Sequence, residues 1–164
     1  MDAMEALRTR RSCRKFLDRE VDRQLVAQVV DAGRLAATAR NEQPWEFIVV
    51  TNKAARRRIA DLTEYGKFIA DSPVCIAVMS KDTKYFLEDG SAATQNILVA
   101  AHALGLGACW VAGDKKEFAP DVCRLIGAPA GVRLIALVAL GWPASTPGMP
   151  SKRALKDVIH WEKF

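Results

Sequence analysis

Residues Arg10-Arg11-Ser12-Cys13-Arg14-Lys15 carry four cations and a hydroxyl in six positions, and Phe16 closes the run. Like charges this dense repel one another, and folding alone does not ask for them. An anionic ligand relieves the repulsion through charge-assisted hydrogen bonds, each worth about 1.5–3 kcal/mol. The chemistry of the run is therefore anion or phosphate capture; taken by itself, the same string also reads as a solvated basic turn. Other chemistries find little support. The chain has only two histidines, His102 and His160, and Cys13, Cys75, Cys109 and Cys123 form no C-x-x-C pair, so no metal-ligand spacing occurs. Ser12 has no evident base for hydrolysis, the thiols have no nearby histidine in sequence, and no stretch singles out two carboxylates. Gly105 and Gly107 look like the start of a dinucleotide fingerprint, but Trp110 stands where the third glycine belongs and the order is helix then strand. No Walker motif is present. A chain without its own acid–base or nucleophilic groups is explained by a borrowed cofactor.

The elements that position these residues follow from capping signals and periodicity. The 164 residues, 50% hydrophobic and 26% charged with a net charge of +5, suit one domain with its own core and acidic small-molecule, phosphate or nucleic-acid partners. Asp2 and Glu5 have capping-box spacing for a short helix ending near Arg8. Asp22 caps a second helix, with Val21 and Val26 as a hydrophobic staple and Leu25, Val26, Val29 and Val30 as its apolar stripe. The small residues over 33–39 permit close backbone approach. After the polar turn Thr38-Ala39-Arg40-Asn41-Glu42-Gln43-Pro44-Trp45, residues 46–51 read as a strand. Asn52 caps a helix through Leu62, with Ile59 and Leu62 inward and Arg56, Arg57 and Arg58 mostly in water. Residues 67–70 make a helical turn, and Pro73 opens a strand over 74–79 that is buried on both faces. The longest helix starts at Asp89 and carries the narrow stripe Ala93, Ile97, Ala100, Ala101, Leu104, which places it at the centre or at a subunit interface. Gly105 ends it, and His102 lies off the stripe. A strand over 108–111, a helix around Phe118, Val122, Leu125 and Ile126, a strong strand over 132–140 and a proline-rich tail with a helical turn at 155–159 complete an α+β chain. No internal repeat, apolar leader or membrane-length run is present, so a cytoplasmic protein without a membrane partner is expected. Nucleic acid is not expected as a partner either. Trp45, Phe47 and Trp110 sit in or beside apolar strands rather than among exposed cations.

Four stretches in this order resemble the nitroreductase family: residues 10–16, Asn41-Glu42-Gln43-Pro44-Trp45, Leu104-Gly105-Leu106-Gly107-Ala108-Cys109-Trp110, and Lys152-Arg153 before Leu155. The resemblance covers essentially the whole chain. It implies an α-β-α sandwich with a central, mostly antiparallel sheet, and one FMN-binding domain over residues 1–164. It further implies a homodimer holding FMN at the subunit interface. The activity implied is an oxidoreductase that passes electrons from NAD(P)H to a nitroaromatic, quinone or similar small acceptor by a ping-pong cycle; a flavin-binding sensor or carrier with little turnover is the alternative. By resemblance, Arg10, Arg11, Ser12 and Arg14 hold the phosphate and the pyrimidine edge of the ring, and Lys152 and Arg153 join at the phosphate. Thr38, Ala39 and Asn41 form the turn that one subunit presents to the cofactor of the other. Trp110, Val111, Ala112 and Gly113 lie against the ring, with a backbone N–H, at Ala112, facing the nitrogen that receives the hydride. No side chain is assigned to catalysis and no metal is implied. Many family members carry extra helices between the second strand and the long helix. Here only residues 80–88 separate them, so an open or differently lined pocket is expected.

Overall fold

The computed structural model describes residues 1–164. Its element order is α1 (Ala3–Thr9), α2 (Arg23–Arg34), β1 (Trp45–Val50), α3 (Lys53–Leu62), β2 (Val74–Lys81), α4 (Phe86–Ala103), β3 (Gly107–Ala112), α5 (Ala119–Ile126) and β4 (Val132–Gly141), with short 3-10 turns at Ala39–Asn41, Lys67–Ala70 and Leu155–Asp157. The anticipated caps are in place. Asp2 accepts from the Glu5 amide, Asp22 from Gln24 and Asn52 from Ala55, each satisfying an otherwise orphaned N–H of a first helical turn.

The four strands form one antiparallel sheet in the order β1-β2-β4-β3. Strand β2 is buried from Val74 to Ser80, because helices cover both faces of the sheet. On one face Val74, Ile76, Val78, Val138 and Leu140 meet Val26 and Val29 of α2 and Ile97 and Ala101 of α4. On the other, Cys75, Ala77, Met79, Leu137 and Ala139 meet Ile59 of α3, Ile69 of the Lys67–Ala70 turn, and Val122 of α5. This is the α-β-α layering that the resemblance implied, and no helix is long and apolar enough to cross a membrane.

Alternation along β4 slips once. Ile135 and Ala136 both face the α2/α4 side, and β2 pairs Val78 with Ala136 but Met79 with Leu134, passing over Ile135. Ile135 is thus a β-bulge at the level where β3 ends.

Two expectations are corrected and one open alternative is narrowed. Helix α4 begins at Phe86 rather than Asp89, so only residues 82–85 separate it from β2. Its small-residue stripe is used inside the chain: Ala93, Ile97 and Ala101 are fully buried. A Cβ on Gly33 of α2 would lie 2.8 Å from Ile97 Cγ1, which is the close approach that the glycine permits. The stripe makes the helix central and gives no argument for a second subunit. Finally, Arg56 does not lie in water. It is 7% exposed, and its Nη1 donates to Ala70 O at 3.0 Å and to Ser72 O. Burial pushes its pKa down from the ordinary guanidinium value.

Candidate functional site

The basic run lies along the outer edge of β3. Ser12 bridges Ala108 in parallel, the Cys13 amide donates to Ala108 O at 2.9 Å, and Phe16 bridges Pro143. Extended backbone sends alternate side chains to opposite sides. Cys13 is therefore buried, whereas Ser12 and Arg14 point to solvent. Arg14 forms none of the chain's ion pairs; its guanidinium lies 5.9 Å from the centre of the Phe68 ring.

Beyond Ala108 the edge of β3 is open, and the ladder says which groups face outward. Gly113 donates to Ile135 O at 3.0 Å, and Val111 and Cys109 stand opposite Leu137 and Ala139. In an antiparallel pair, residues of that parity turn their backbone groups toward the neighbouring strand and the alternate residues turn theirs away. Trp110 and Ala112 accordingly direct their N–H and C=O groups to the free edge, on the side where Ala108 O meets Cys13.

That edge floors a cavity of about 800 Å³, within the range of small-molecule sites. Arg14 stands on one side of it, and Leu62, Phe68 and Phe118 supply apolar wall. Cys109 also lines it, with its pKa raised by burial, although the Arg14 charge and a hydrogen bond with Ser12 pull the other way. A protonated thiol is a poor nucleophile. What the cavity offers is three cations outside the ion pairs, Arg14, Lys115 and Lys116, together with outward main-chain donors and flat apolar surface. Those features suit a planar, partly anionic ring and need no reactive side chain.

Arg10 and Arg11 sit at the end of α1, near His102. The His102 pKa is lowered by burial and then by the charges of Arg10 and Arg11. The Thr9 hydroxyl lies 2.8 Å from His102 Nε2 and donates to Glu5 O, so the imidazole N–H donates to Thr9. Arg11 is partly occupied already, with Nη1 donating to Arg8 O at 2.8 Å and to Arg10 O at 2.6 Å.

The turn with Thr38, Ala39 and Asn41 does not line the cavity, nor do Lys152 and Arg153. The turn is nevertheless built with care. Arg40, Asn41 and Gln43 all take left-handed φ values of 54°, 57° and 48°, a conformation that costs a non-glycine residue roughly 1–2 kcal/mol. Buried Asp89 pins it: Oδ2 accepts from the Thr38 hydroxyl at 2.8 Å and Oδ1 from the Ala39 amide at 3.1 Å. The role of Asp89 was missed by the sequence reading, though a carboxylate next to Gly90 on a helix of small, apolar residues was a usable signal. Lys152 and Arg153 belong to a tail that is exposed throughout residues 148–164, where Arg153 donates to Asp157 O. Of the thirteen residues named from the sequence, the chain places Arg14, Trp110, Val111 and Ala112 at the cavity, Ser12 and Gly113 beside it on the same edge, Arg10 and Arg11 at the end of α1 near His102, and the turn and the tail pair elsewhere.

A model of the nitroreductase family matches residues 7–66 and 61–142. The "Putative NADH dehydrogenase/NAD(P)H nitroreductase" of Methanothermobacter thermautotrophicus is 40% identical over 172 residues, taking in 100% of this chain and 88% of that protein. The "FMN reductase (NADPH)" of Bacillus subtilis is 23% identical over 182 residues, with 97% of this chain and 73% of that protein covered. Among solved structures, a protein from Bacteroides thetaiotaomicron bearing the same name as the Methanothermobacter relative superposes with a TM-score of 0.94. It is 29% identical, with 99% of this chain and 98% of the other aligned.

Proposed function

The chain belongs to the nitroreductase family, and on that premise we infer that it is an NAD(P)H-dependent flavin oxidoreductase whose FMN lies along the free edge of β3. The observation that carries the reading is the pair of outward N–H groups at Trp110 and Ala112, set beside the uncommitted Arg14 over a cavity with both apolar and charged walls. When bound, FMN supplies the redox chemistry, accepting a hydride from NAD(P)H and delivering electrons to an acceptor.

The chain's own residues then bind and orient. Ala112 presents a main-chain donor that does not move away when solvent is excluded. Arg14 places positive charge at the ring edge, where it favours the electron-rich state of whatever lies there. Arg10, Arg11 and Ser12, at the head of the same run, take the phosphate. Apolar walls from Leu62, Phe68 and Phe118 exclude water and suit a flat acceptor such as a quinone or nitroaromatic.

The remaining site residues point to a homodimer. Thr38, Ala39 and Asn41 belong to a turn whose Arg40, Asn41 and Gln43 are held in a costly left-handed conformation with no use inside one chain. Lys152 and Arg153 lie on a tail that exposes Met149, Leu155, Val158, Ile159, Trp161 and Phe164, more apolar surface than a free monomer normally leaves in water. A second copy of the chain that covers the tail and receives the turn accounts for both.

Purification tests the reading. A yellow protein that releases FMN and oxidises NADH or NADPH steadily with a quinone supports it. FMN bound without turnover favours a flavin carrier or sensor, and a colourless protein that takes up no FMN ends the proposal.

A further inference from the structure

Behind the reactive edge, and outside the cavity, Arg133 of β4 joins three elements. Its Nη2 donates to Asp114 Oδ1 at 2.9 Å, its Nη1 to Asp82 Oδ1 at 3.2 Å, and its guanidinium stacks 4.2 Å from the centre of the Phe86 ring at the start of α4. The Asp114 side chain is only 9% exposed, so without Arg133 it would be a largely buried and unpaired charge. Asp114 stands two residues after Ala112. The Gly113 and Asp114 amides share one acceptor, Ile135 O, at 3.0 and 3.2 Å. That carbonyl is free to serve both because Ile135 is the bulged residue that β2 passes over. The bulge is held in turn by α4: a Cβ on Gly90 would lie 2.7 Å from Ile135 Cγ1. The end of β3 is thus fixed from two sides, by main-chain bonds to a bulge and by a carboxylate–guanidinium pair.

We propose that Asp114 and Arg133 are positioning residues for the oxidoreductase step, holding the Ala112 N–H at the free edge of β3 through the Gly113–Asp114 turn. The proposal rests on the reading of the β3 edge as the flavin site. Neither side chain touches the cofactor in this account. Their contribution is to fix the direction of a main-chain donor at the head of a turn in which Lys115, next to Asp114, adopts a left-handed φ of 63° that relaxes unless its surroundings hold it. Adjacent Gly90 and Asp89 also link this anchor to the turn at Thr38 and Ala39, so one short stretch of α4 supports both halves of the site.

The test compares Arg133→Ala, Arg133→Lys and Asp114→Asn with wild type, with dimerisation and thermal unfolding checked first. Three readouts are taken: FMN affinity by fluorescence, the stopped-flow rate of flavin reduction by NADH or NADPH, and amide exchange at Gly113 and Asp114 in the protein as purified. Arg133→Ala is expected to leave FMN affinity within about three-fold, since the phosphate contacts lie elsewhere. It is expected to slow reduction by about 10- to 100-fold, the loss typical of a misplaced reacting group. Exchange at both amides accelerates, and Arg133→Lys, which can hold one carboxylate but not both, falls between. If Arg133→Ala does not fold, the near-isosteric Asp114→Asn carries the same expectations at smaller size. Reduction at the wild-type rate overturns the proposal and leaves the flavin reading intact. Slow reduction with unchanged exchange overturns it too, since the effect is then one of charge and not of position. A wild-type protein that takes up no FMN overturns the flavin reading, and this role with it.

Discussion

Two arginines from basic clusters meet opposite fates in this chain. Arg56, one of three consecutive arginines on α3, turns inward and donates to Ala70 O and Ser72 O, with a further contact of 3.4 Å from Nε to Thr51 O. Arg14, one of four cations in the run beside β3, turns outward and meets only the Phe68 ring at 5.9 Å. Local charge density does not separate them. Acceptors do: the connection between α3 and β2 leaves buried carbonyls within reach of Arg56, whereas Arg14 engages none of the outward carbonyls of the β3 edge. A cation with enough acceptors becomes part of the fold, and one without them remains available to a ligand.

The largest expected effect sharpens the buried side of this contrast. Arg56→Ala strands two interior carbonyls, and each unsatisfied group costs about 1–3 kcal/mol. Unfolding in urea should show a loss of about 2–4 kcal/mol, with FMN affinity of the folded fraction unchanged. A midpoint that does not move would mean that the carbonyls find water and that Arg56 is no more structural than Arg14.

Next is the edge itself. Ala112→Pro removes the outward N–H and fixes φ. Provided the variant is dimeric and flavin-loaded, it should slow flavin reduction at least about ten-fold while weakening FMN less, because the phosphate contacts are distant. Ala112→Ser keeps the donor and should change both only modestly. A proline variant reduced as fast as wild type would move the reactive edge away from Ala112.

Arg14→Ala should weaken FMN about ten-fold or more, the worth of one charge-assisted contact, and leave urea stability nearly unchanged. Arg57→Ala, exposed on the same helix as Arg56, should alter neither property. Equal effects of Arg14→Ala and Arg57→Ala on FMN would break the contrast from its ligand side.

Sequence legibility followed the same division. Caps and apolar patterning located nearly every element, because the signals at Asp2, Asp22 and Asn52 and the continuous apolar run along β2 are local. The residues at 10–14 stood out by their density of charge and by resemblance, and those at 110–113 by resemblance alone; which of them face outward had to come from the ladder. What could not be read were partners distant in sequence. Nothing near Arg56 announces the carbonyls of Ala70 and Ser72. Nothing near Asp89 announces the turn fifty residues earlier, and Arg133 meets Asp82 and Asp114 only through the sheet. The stripe on α4 was read correctly as a close-packing surface. Its partner could not be read, because small residues signal the distance of approach and not what approaches.

The smallest effect tests the buried side by pH. Cys75 lies in the core next to Arg56, and burial pushes its thiol up to about 12, with the Arg56 charge opposing. The folded-state pKa exceeds the unfolded one, so the fold binds this proton more tightly. The contribution to stability is complete below the ordinary thiol value and declines as pH rises from about 9 toward 12. At pH 10 the loss from this residue is about 1 kcal/mol. Cys13, Cys109 and Cys123 are shifted upward as well, each chiefly by burial, so all four thiols share the alkaline decline. Cys75→Ala should flatten urea stability between pH 8 and 10 by about one quarter to one half, at the cost of a small cavity that lowers both ends equally. FMN affinity should not track this change, since Cys75 is walled off from the β3 edge by β4. A Cys75→Ala profile as steep as wild type would mean that the thiol near Arg56 ionises in the fold as easily as in the open chain, and that the guanidinium there is wet.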